Sequence, residues 1–209
     1  MTKVLVLGAS GQIAAWVIEM LAKRDVELTL FALNVNRIDR VPTGATVVQG
    51  DVNDRAALTD AVRGQDIVYA NLAGDSDHHA QAIVGVMAAK GVRRLVLVTA
   101  LGIYQEVPGE FGRWNRDTIG EGTLDTYARA SDAIEASSLD YTSLKPAWLS
   151  DADEVSYEIT GRDEPFRGTT VSRKSVAAFI TDLLAGPERH VRENLGVSKP
   201  GTDGCHLVW

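Results

Sequence analysis

The chain has 209 residues and a mass of 22.5 kDa, a size that fits one domain spanning residues 1–209. Its 45% hydrophobic and 23% charged residues are typical of a globular protein. The formal charge of −7 argues against nucleic acid as the main partner, because phosphate backbones require a basic face.

Cysteine content and apolar runs indicate where the chain resides. Cys205 is the single cysteine, so no internal disulfide can form, which suits a reducing compartment. The apolar run near the start is too short for a signal peptide, and no stretch approaches the ~20 residues of a membrane span. We therefore expect a cytoplasmic protein without a membrane partner.

Apolar runs and helical patterns alternate from the first residues. Residues 4–7 are continuously apolar, as in a strand covered on both faces, and apolar residues then recur at helical spacing. Further strands are predicted at 28–33, 46–48, 67–70, 95–98 and 141–144, with helices between them. This alternation predicts right-handed βαβ units in a Rossmann-like, doubly wound α/β fold with a parallel sheet of six to seven strands.

Two segments interrupt the alternation. Residues 102–123 are rich in glycine, and residues 151–168 begin with acidic side chains. Both follow the carboxyl ends of strands, where open α/β sheets bind their ligands. We therefore predict that these two segments are loops over a cofactor crevice, and that a small C-terminal lobe also lies over it. A last helix follows, and Ser172-Arg173-Lys174-Ser175 is expected to cap it.

The first strand leads into a glycine-containing turn. It reads Gly8-Ala9-Ser10-Gly11-Gln12-Ile13-Ala14 and opens an amphipathic helix. Gly8 permits a tight turn, and Gly11 lets the backbone approach a pyrophosphate at the helix N-terminus. The setting after a buried strand favours a dinucleotide site over an ordinary connection.

The end of the second strand bears on the choice of cofactor. An NAD site usually has an acidic residue there, but this chain has Leu33-Asn34-Val35-Asn36-Arg37. The Arg37 guanidinium suits a 2′-phosphate, although Arg37 also fits a solvated loop residue. We predict NADP as the cofactor, with NAD as the alternative.

Several segments together resemble the atypical short-chain dehydrogenase/reductases, specifically the NAD(P)H-binding, NmrA-like and flavin (biliverdin-IXβ) reductase group. They occur in the family's order over nearly the whole chain. The matching segments are Val6 to Gln12, Gly50-Asp51-Val52, Gly64-Gln65-Asp66, Gly91-Val92, Leu139 to Pro146 and Val171-Ser172-Arg173.

The resemblance implies a set of cofactor contacts. The turn 8–13 would hold the pyrophosphate, and Asp51 and Val52 would flank the adenine. Asn71, Leu72 and Ala73 would lie beside the ribose and nicotinamide, with Pro146 and Ala147 at the nicotinamide end. Flavin reductases of this group have two arginines after the second strand. Arg37 matches the second arginine, while Leu33 occupies the position of the first.

The catalytic residues of the superfamily are only partly present. Typical members use Ser, Tyr and a Lys four residues after the Tyr. Here Tyr127 is followed by Ser131 instead of Lys, and the serine position corresponds to Thr99 or to Ala100. Tyr104 is a second candidate acid. A structural role for Tyr127 is an equally good interpretation.

Three functions are compatible with these residues. Hydride transfer to a flavin- or quinone-like acceptor needs no strong protein acid, because water can protonate the stabilised anion. A non-catalytic, NmrA-like NAD(P) sensor is the alternative, and an epimerase or dehydratase is a third. Aromatic residues fit either an acceptor platform or hydrophobic plugs, namely Tyr104, Phe111, Trp114, Trp148 and Phe166. The residue spacing does not predict a metal site.

Overall fold

The computed structural model describes residues 1–74 and 76–208. The strands in chain order are β1 Thr2–Leu7, β2 Val26–Ala32, β3 Thr46–Gln49, β4 Ile67–Ala70, β5 Arg94–Val98, β6 Asp140–Pro146, β7 Trp148–Ser150, β8 Glu158–Thr160, β9 Thr170–Ser172 and β10 Glu193–Ser198. The helices are α1 Gln12–Leu21, α2 Arg55–Val62, α3 Ser76–Lys90, α4 Gly109–Ile119, α5 Glu121–Glu135 and α6 Arg173–Ala185. A short 3-10 helix covers Val35–Arg37.

Eight strands form the central sheet in the order β3-β2-β1-β4-β5-β6-β10-β8. The first seven in this order are parallel, and β8 pairs antiparallel with β10 at the edge. The predicted Rossmann-like parallel sheet is therefore confirmed, with one additional antiparallel strand. The strand order reverses between β1 and β4, and such a switch point opens a crevice at the carboxyl ends of the strands.

The central strands are apolar on both sides because helices cover both faces. Val4 and Val6 of β1 point to the layer that contains α1 and α6, while Leu5 and Leu7 point to the layer of α2, α3 and α5. All four side chains are fully buried. At roughly 1.5–3 kcal/mol for each buried aliphatic side chain, this double burial makes β1 a rigid support for the turn that follows it.

Two segments are more regular than the sequence indicates. The predicted loop 102–123 contains α4 and the first residues of α5, and the predicted loop 151–168 contains β8. Gly112 made the sequence of α4 look unlike a helix. In the structure, a Cβ at this position would lie 2.0 Å from the Val107 carbonyl oxygen, so the glycine allows close packing. The lobe near the crevice consists of β7 and β9, which pair in parallel.

Side-chain caps fix the starts of α2 and α6, and the α6 cap lies in the segment predicted to cap the last helix. Asp54 accepts hydrogen bonds from the Ala56 and Ala57 N–H groups, and Ser172 accepts one from the Ser175 N–H. In the described ranges, no helix combines the length and the apolar character that a membrane crossing requires.

Candidate functional site

The turn between β1 and α1 is tied to both neighbouring strands. The Gly8 and Ala9 N–H groups donate to the Phe31 carbonyl of β2 at 3.0 and 3.1 Å. A Cβ at Gly8 would lie 2.2 Å from the Asn71 carbonyl oxygen, and one at Gly11 would lie 2.1 Å from Asn71 Nδ2. Gly8 also has a φ of +79°. Close packing against the end of β4 therefore requires glycine at both positions.

The first turn of α1 presents unpaired donors. Gly11 is the N-cap residue and makes no side-chain cap, and the first backbone bond runs from the Ala15 N–H to the Gly11 carbonyl at 2.9 Å. The N–H groups of Gln12, Ile13 and Ala14 have no acceptor within residues 1–74 and 76–208. Such a helix start attracts anions, so the residues present fit a dinucleotide pyrophosphate.

A cavity of about 200 Å³, here named the turn cavity, opens beside these donors. It brings together nine of the predicted cofactor residues, and Phe31, Ala32, Gly50 and His79 complete its walls. The nine are Gly8, Ser10, Gly11, Leu33, Asp51, Val52, Asn71, Leu72 and Ala73. The site therefore gathers the ends of β1, β2, β3 and β4.

The remaining predicted cofactor residues lie outside the turn cavity. Ala9 and Ile13 are buried side chains, so they can offer only their backbone to a cofactor. Gln12 is exposed at the start of α1. The Asn34 side chain accepts a hydrogen bond from the Asn36 N–H at 3.1 Å. Arg37 is exposed and forms no ion pair with another described residue.

A second cavity, of about 460 Å³, lies at the carboxyl ends of β5 and β6. We name it the aromatic cavity because Trp148 forms part of its wall. Pro146 and Ala147, predicted at the nicotinamide end, both line it. The other lining residues are Thr99, Ala100, Leu101, Asn115, Ile119, Leu149 and Arg173.

A narrow linking chamber adjoins both cavities. It shares Leu72 and His79 with the turn cavity and Thr99 with the aromatic cavity, and Tyr127 of α5 also lines it. The Thr99 hydroxyl is buried and donates to the Leu144 carbonyl at 3.1 Å. The structure thus brings Thr99 and Tyr127 together beside the crevice.

Tyr104 is placed elsewhere. Its hydroxyl bonds to Asp132 Oδ1 at 3.0 Å and to Glu135 Oε1 at 3.2 Å, both on α5. Burial raises the pKa of the Tyr104 phenol, and the two carboxylates act in the same direction. Tyr104 lines none of the three cavities described above, so its geometry gives no support to a role as an acid.

Of the five aromatic residues considered as an acceptor platform or as hydrophobic plugs, one lines the aromatic cavity and the others do not. Trp148 lines the aromatic cavity, and the Trp114 ring packs behind it with centroids 4.8 Å apart. Phe111 stacks on Trp114 at 5.7 Å. Phe166 is buried against Gly196 of β10, where a Cβ would lie 2.5 Å from the phenyl ring. Trp148 is therefore the member of this set that can touch a ligand in that cavity.

Sequence reasoning missed a buried ion pair beside the aromatic cavity. Lys145 Nζ lies 3.3 Å from Glu106 Oε1, with the two side chains 1% and 5% exposed. Glu106 also accepts the Gly102 and Tyr104 N–H groups at 3.1 and 3.0 Å. Burial lowers the pKa of Lys145, against the opposing effect of Glu106. The ion pair and the two N–H bonds hold residues 102–106 against the end of β6.

Asn115, His79 and Arg173 also line the cavities without having been predicted as site residues. Only the fold brings them there, since each lies on a helix distant in sequence from the turn. No group of three His, Cys, Asp or Glu side chains within the described ranges is arranged to hold a metal ion.

Comparison with known proteins relates this geometry to a family. The family model described as NAD(P)H-binding matches residues 8–187. A Rossmann-fold NAD(P)-binding family protein of Shigella flexneri is 48% identical with a TM-score of 0.87, over 100% of this chain and 99% of that chain. A Veillonella parvula short-chain dehydrogenase/reductase in complex with NADP is 27% identical with a TM-score of 0.90, over the same shares.

One of the matching relatives is named as an oxidoreductase. Quinone oxidoreductase 2 of Escherichia coli (strain K12) is 25% identical over 201 residues, which cover 91% of this chain and 64% of that protein. The chain spans 38% and 64% of the length of two curated relatives that it matches. The resemblance inferred from the sequence motifs is confirmed at the level of NAD(P)H-binding, short-chain dehydrogenase/reductase-like proteins.

Proposed function

Since this chain belongs to the NAD(P)H-binding family, we propose that it is a reductase that transfers hydride from NADPH to a flat, conjugated acceptor of the flavin or quinone kind. One observation carries the proposal. The linking chamber shares wall residues with both the turn cavity and the aromatic cavity, so a dinucleotide and an aromatic acceptor bound in them would come together near Thr99. Quinone oxidoreductase 2 supports an acceptor of this class.

The residues at the turn would hold the dinucleotide. The N–H groups of Gln12 and Ile13 would bind the pyrophosphate, and Asp51 and Val52 would flank the adenine. Pro146 and Ala147 would lie at the nicotinamide end. When bound, the reduced nicotinamide supplies the hydride.

Arg37 supports NADPH over NADH. Leu33, 69% exposed in the turn cavity wall, leaves the end of β2 without an acidic group for a ribose 2′-hydroxyl. Arg37 lies four residues further on, exposed and without an ion-pair partner in the described ranges. A guanidinium in that position can pair with a 2′-phosphate. We expect Arg37→Ala to lower NADPH affinity about tenfold while NADH affinity stays unchanged, as measured by calorimetry.

The acceptor chemistry is consistent with the incomplete catalytic set. Ser131 stands where the superfamily has its lysine, and its hydroxyl accepts a hydrogen bond from Asn194 Nδ2 at 3.1 Å. Tyr127 therefore lacks the lysine that accompanies the tyrosine in typical members of the superfamily. A flavin or quinone tolerates this because its reduced anion takes a proton from water. An epimerase or dehydratase would need the intact pair.

The test combines binding with turnover. NADPH and NADH are titrated into the protein by calorimetry, and NADPH oxidation is then followed with menadione and with riboflavin. Tight NADPH binding with acceptor-dependent oxidation above the buffer rate supports the reductase. Binding without oxidation of NADPH by any acceptor of this class would overturn it and favour the NAD(P) sensor. The Tyr127→Phe variant should keep its turnover within about threefold of the wild-type value.

A further inference from the structure

We propose that the acceptor carries an anionic group, which Arg173 binds while Trp148 contacts the conjugated ring. This inference rests on the proposed function and narrows its substrate class. It starts from the lining of the aromatic cavity, in which Arg173 is the one charged side chain among the described residues. The rest of this wall is apolar or uncharged, so Arg173 is the group on it that can distinguish an anionic acceptor from a neutral one.

The Arg173 guanidinium has N–H donors that are not used by its ion pair. Its side chain is 19% exposed, and Nη1 donates to Asp151 Oδ1 at 2.7 Å. In residues 1–74 and 76–208 its other N–H groups have no acceptor. A guanidinium binds carboxylate, phosphate or sulfonate through two parallel N–H groups, so Arg173 can bind a ligand anion without first losing Asp151.

Asp151 does not neutralise the site permanently. Its side chain is 82% exposed, and surface ion pairs of this kind contribute little and exchange readily with water. An anion inside the cavity is better shielded from water and therefore pairs more strongly with Arg173. Because the whole chain carries a formal charge of −7, an anionic acceptor would otherwise be repelled. The local cation reverses that repulsion at the cavity.

The Trp148 ring is held in place by a buried amide. Trp148 Nε1 donates to Asn115 Oδ1 at 2.8 Å, and Asn115 Nδ2 donates to the Leu101 carbonyl at 3.0 Å. Asn115 is 1% exposed, and a Cβ at Gly102 would lie 2.6 Å from Asn115 Nδ2. Asn115 is thus a positioning residue that fixes the indole as one wall of the cavity, with Arg173 on the same lining.

Matched acceptors separate charge from ring shape. FMN and riboflavin share one ring system, and 1,2-naphthoquinone-4-sulfonate and 1,2-naphthoquinone share another. We expect the wild-type protein to use the anionic member of each pair about tenfold better in kcat/KM, because a charge-assisted pair has roughly that effect. Calorimetry with the NADP⁺-loaded protein should show the same preference in Kd.

Variants assign the preference to its residue. Arg173→Gln should reduce the preference to less than twofold, and Arg173→Lys should restore part of it. Asp151→Asn is the matched control, and it should keep a preference at least as large as that of the wild-type protein. Trp148→Ala should weaken both members of a pair equally, and Trp148→Phe should recover most of that loss.

The two proposals fail in different ways. Equal use and equal binding of the anionic and neutral acceptors by the wild-type protein would overturn the anion site and leave the reductase standing. A preference that survives Arg173→Gln would do the same. If no acceptor is reduced while the anionic probes still bind through Arg173, the reductase proposal falls and the anion site stands.

Discussion

Two glycines at the first turn leave no room for a side chain. A Cβ at Gly11 would lie 2.1 Å from Asn71 Nδ2, so Gly11→Ala must displace the Asn71 side chain, which lines the turn cavity. We expect this variant to bind NADPH about tenfold more weakly, since the displaced amide disturbs the donors of the pyrophosphate site. Calorimetric titration of NADPH measures the change.

Gly85 provides the matched control. It lies exposed on α3, and a Cβ there would have no neighbour within 4 Å. Gly85→Ala should therefore leave NADPH affinity unchanged and add a few tenths to about 1 kcal/mol of helix stability. Equal NADPH affinity in Gly11→Ala and Gly85→Ala would contradict the assignment of the turn.

Tyr69 has a buried hydroxyl that is costly for the fold. The side chain of this β4 residue is 0% exposed, and its oxygen has no partner within the described ranges. We expect Tyr69→Phe to raise the free energy of unfolding by about 1 kcal/mol, because an unpaired polar group leaves the interior. Urea unfolding at pH 7 measures the gain, and a loss of 1 kcal/mol or more would show that the hydroxyl is satisfied.

The same residue sets an alkaline pH dependence. Burial raises the pKa of Tyr69 above its ordinary value of 10.0. Above pH 10 the unfolded chain releases this proton while the folded chain retains it, so the folded state binds more protons and stability falls as pH rises. The gain in stability of Tyr69→Phe over the wild-type protein should therefore grow between pH 10 and pH 11.

Some residues of the site were readable from the sequence and others were not. Gly8 and Gly11 could be predicted because they follow a continuous apolar strand and precede a helical pattern. The Lys145 and Glu106 pair could not, because neither position has a local pattern that indicates burial. Their meeting depends on how residues 102–106 cross the end of β6, which is a tertiary contact.

At the scale of elements, glycines inside helices and strands misled the prediction. Gly112 in α4 and Gly196 in β10 weaken local propensity, and β10 was not predicted at all. In the fold, each glycine lets another group approach, namely the Val107 carbonyl and the Phe166 ring. Local sequence rules count a glycine as a breaker, whereas the packing of neighbouring elements decides its role.

The segment that joins β5 to α4 depends on the Glu106–Lys145 pair. We expect Glu106→Gln to lower the free energy of unfolding by about 3 kcal/mol, because it leaves a buried ammonium group without its counter-charge and replaces one of the two accepting oxygens by an NH2 donor. Burial already lowers the pKa of Lys145, and losing Glu106 lowers it further. The folded variant then binds fewer protons than the unfolded chain, so its stability should rise from pH 7 to pH 9 more steeply than that of the wild-type protein.

The double variant tests whether the charge is the cause. Glu106→Gln combined with Lys145→Met removes both buried charges and keeps similar volumes. Urea unfolding should show that it recovers more than half of the stability lost in Glu106→Gln alone. A double variant as unstable as the single one would mean that the backbone bonds of Glu106, and not the ion pair, stabilise this segment.

At the scale of the whole molecule, three neighbouring cavities lie along the carboxyl ends of the parallel strands. The linking chamber shares Leu72 and His79 with the turn cavity and Thr99 with the aromatic cavity, and the three cavities together are lined by side chains from both helical layers. The sequence predicted this crevice from the alternation of strands and helices, because open α/β sheets bind their ligands at the carboxyl ends of the strands. The residues that line the cavities could be identified only from the folded structure.

Ligand binding at this crevice should stabilise the whole fold by linkage. NADPH at 100 times its Kd should raise the free energy of unfolding by about 2.7 kcal/mol, since the unfolded chain cannot assemble the ends of four strands into a site. At the same NADPH concentration, Gly11→Ala with a tenfold weaker Kd should gain only about 1.4 kcal/mol. Gly85→Ala should gain as much as the wild-type protein. Urea unfolding with and without NADPH measures the three values, and equal gains in all three proteins would place the nucleotide away from the turn at Gly8 and Gly11.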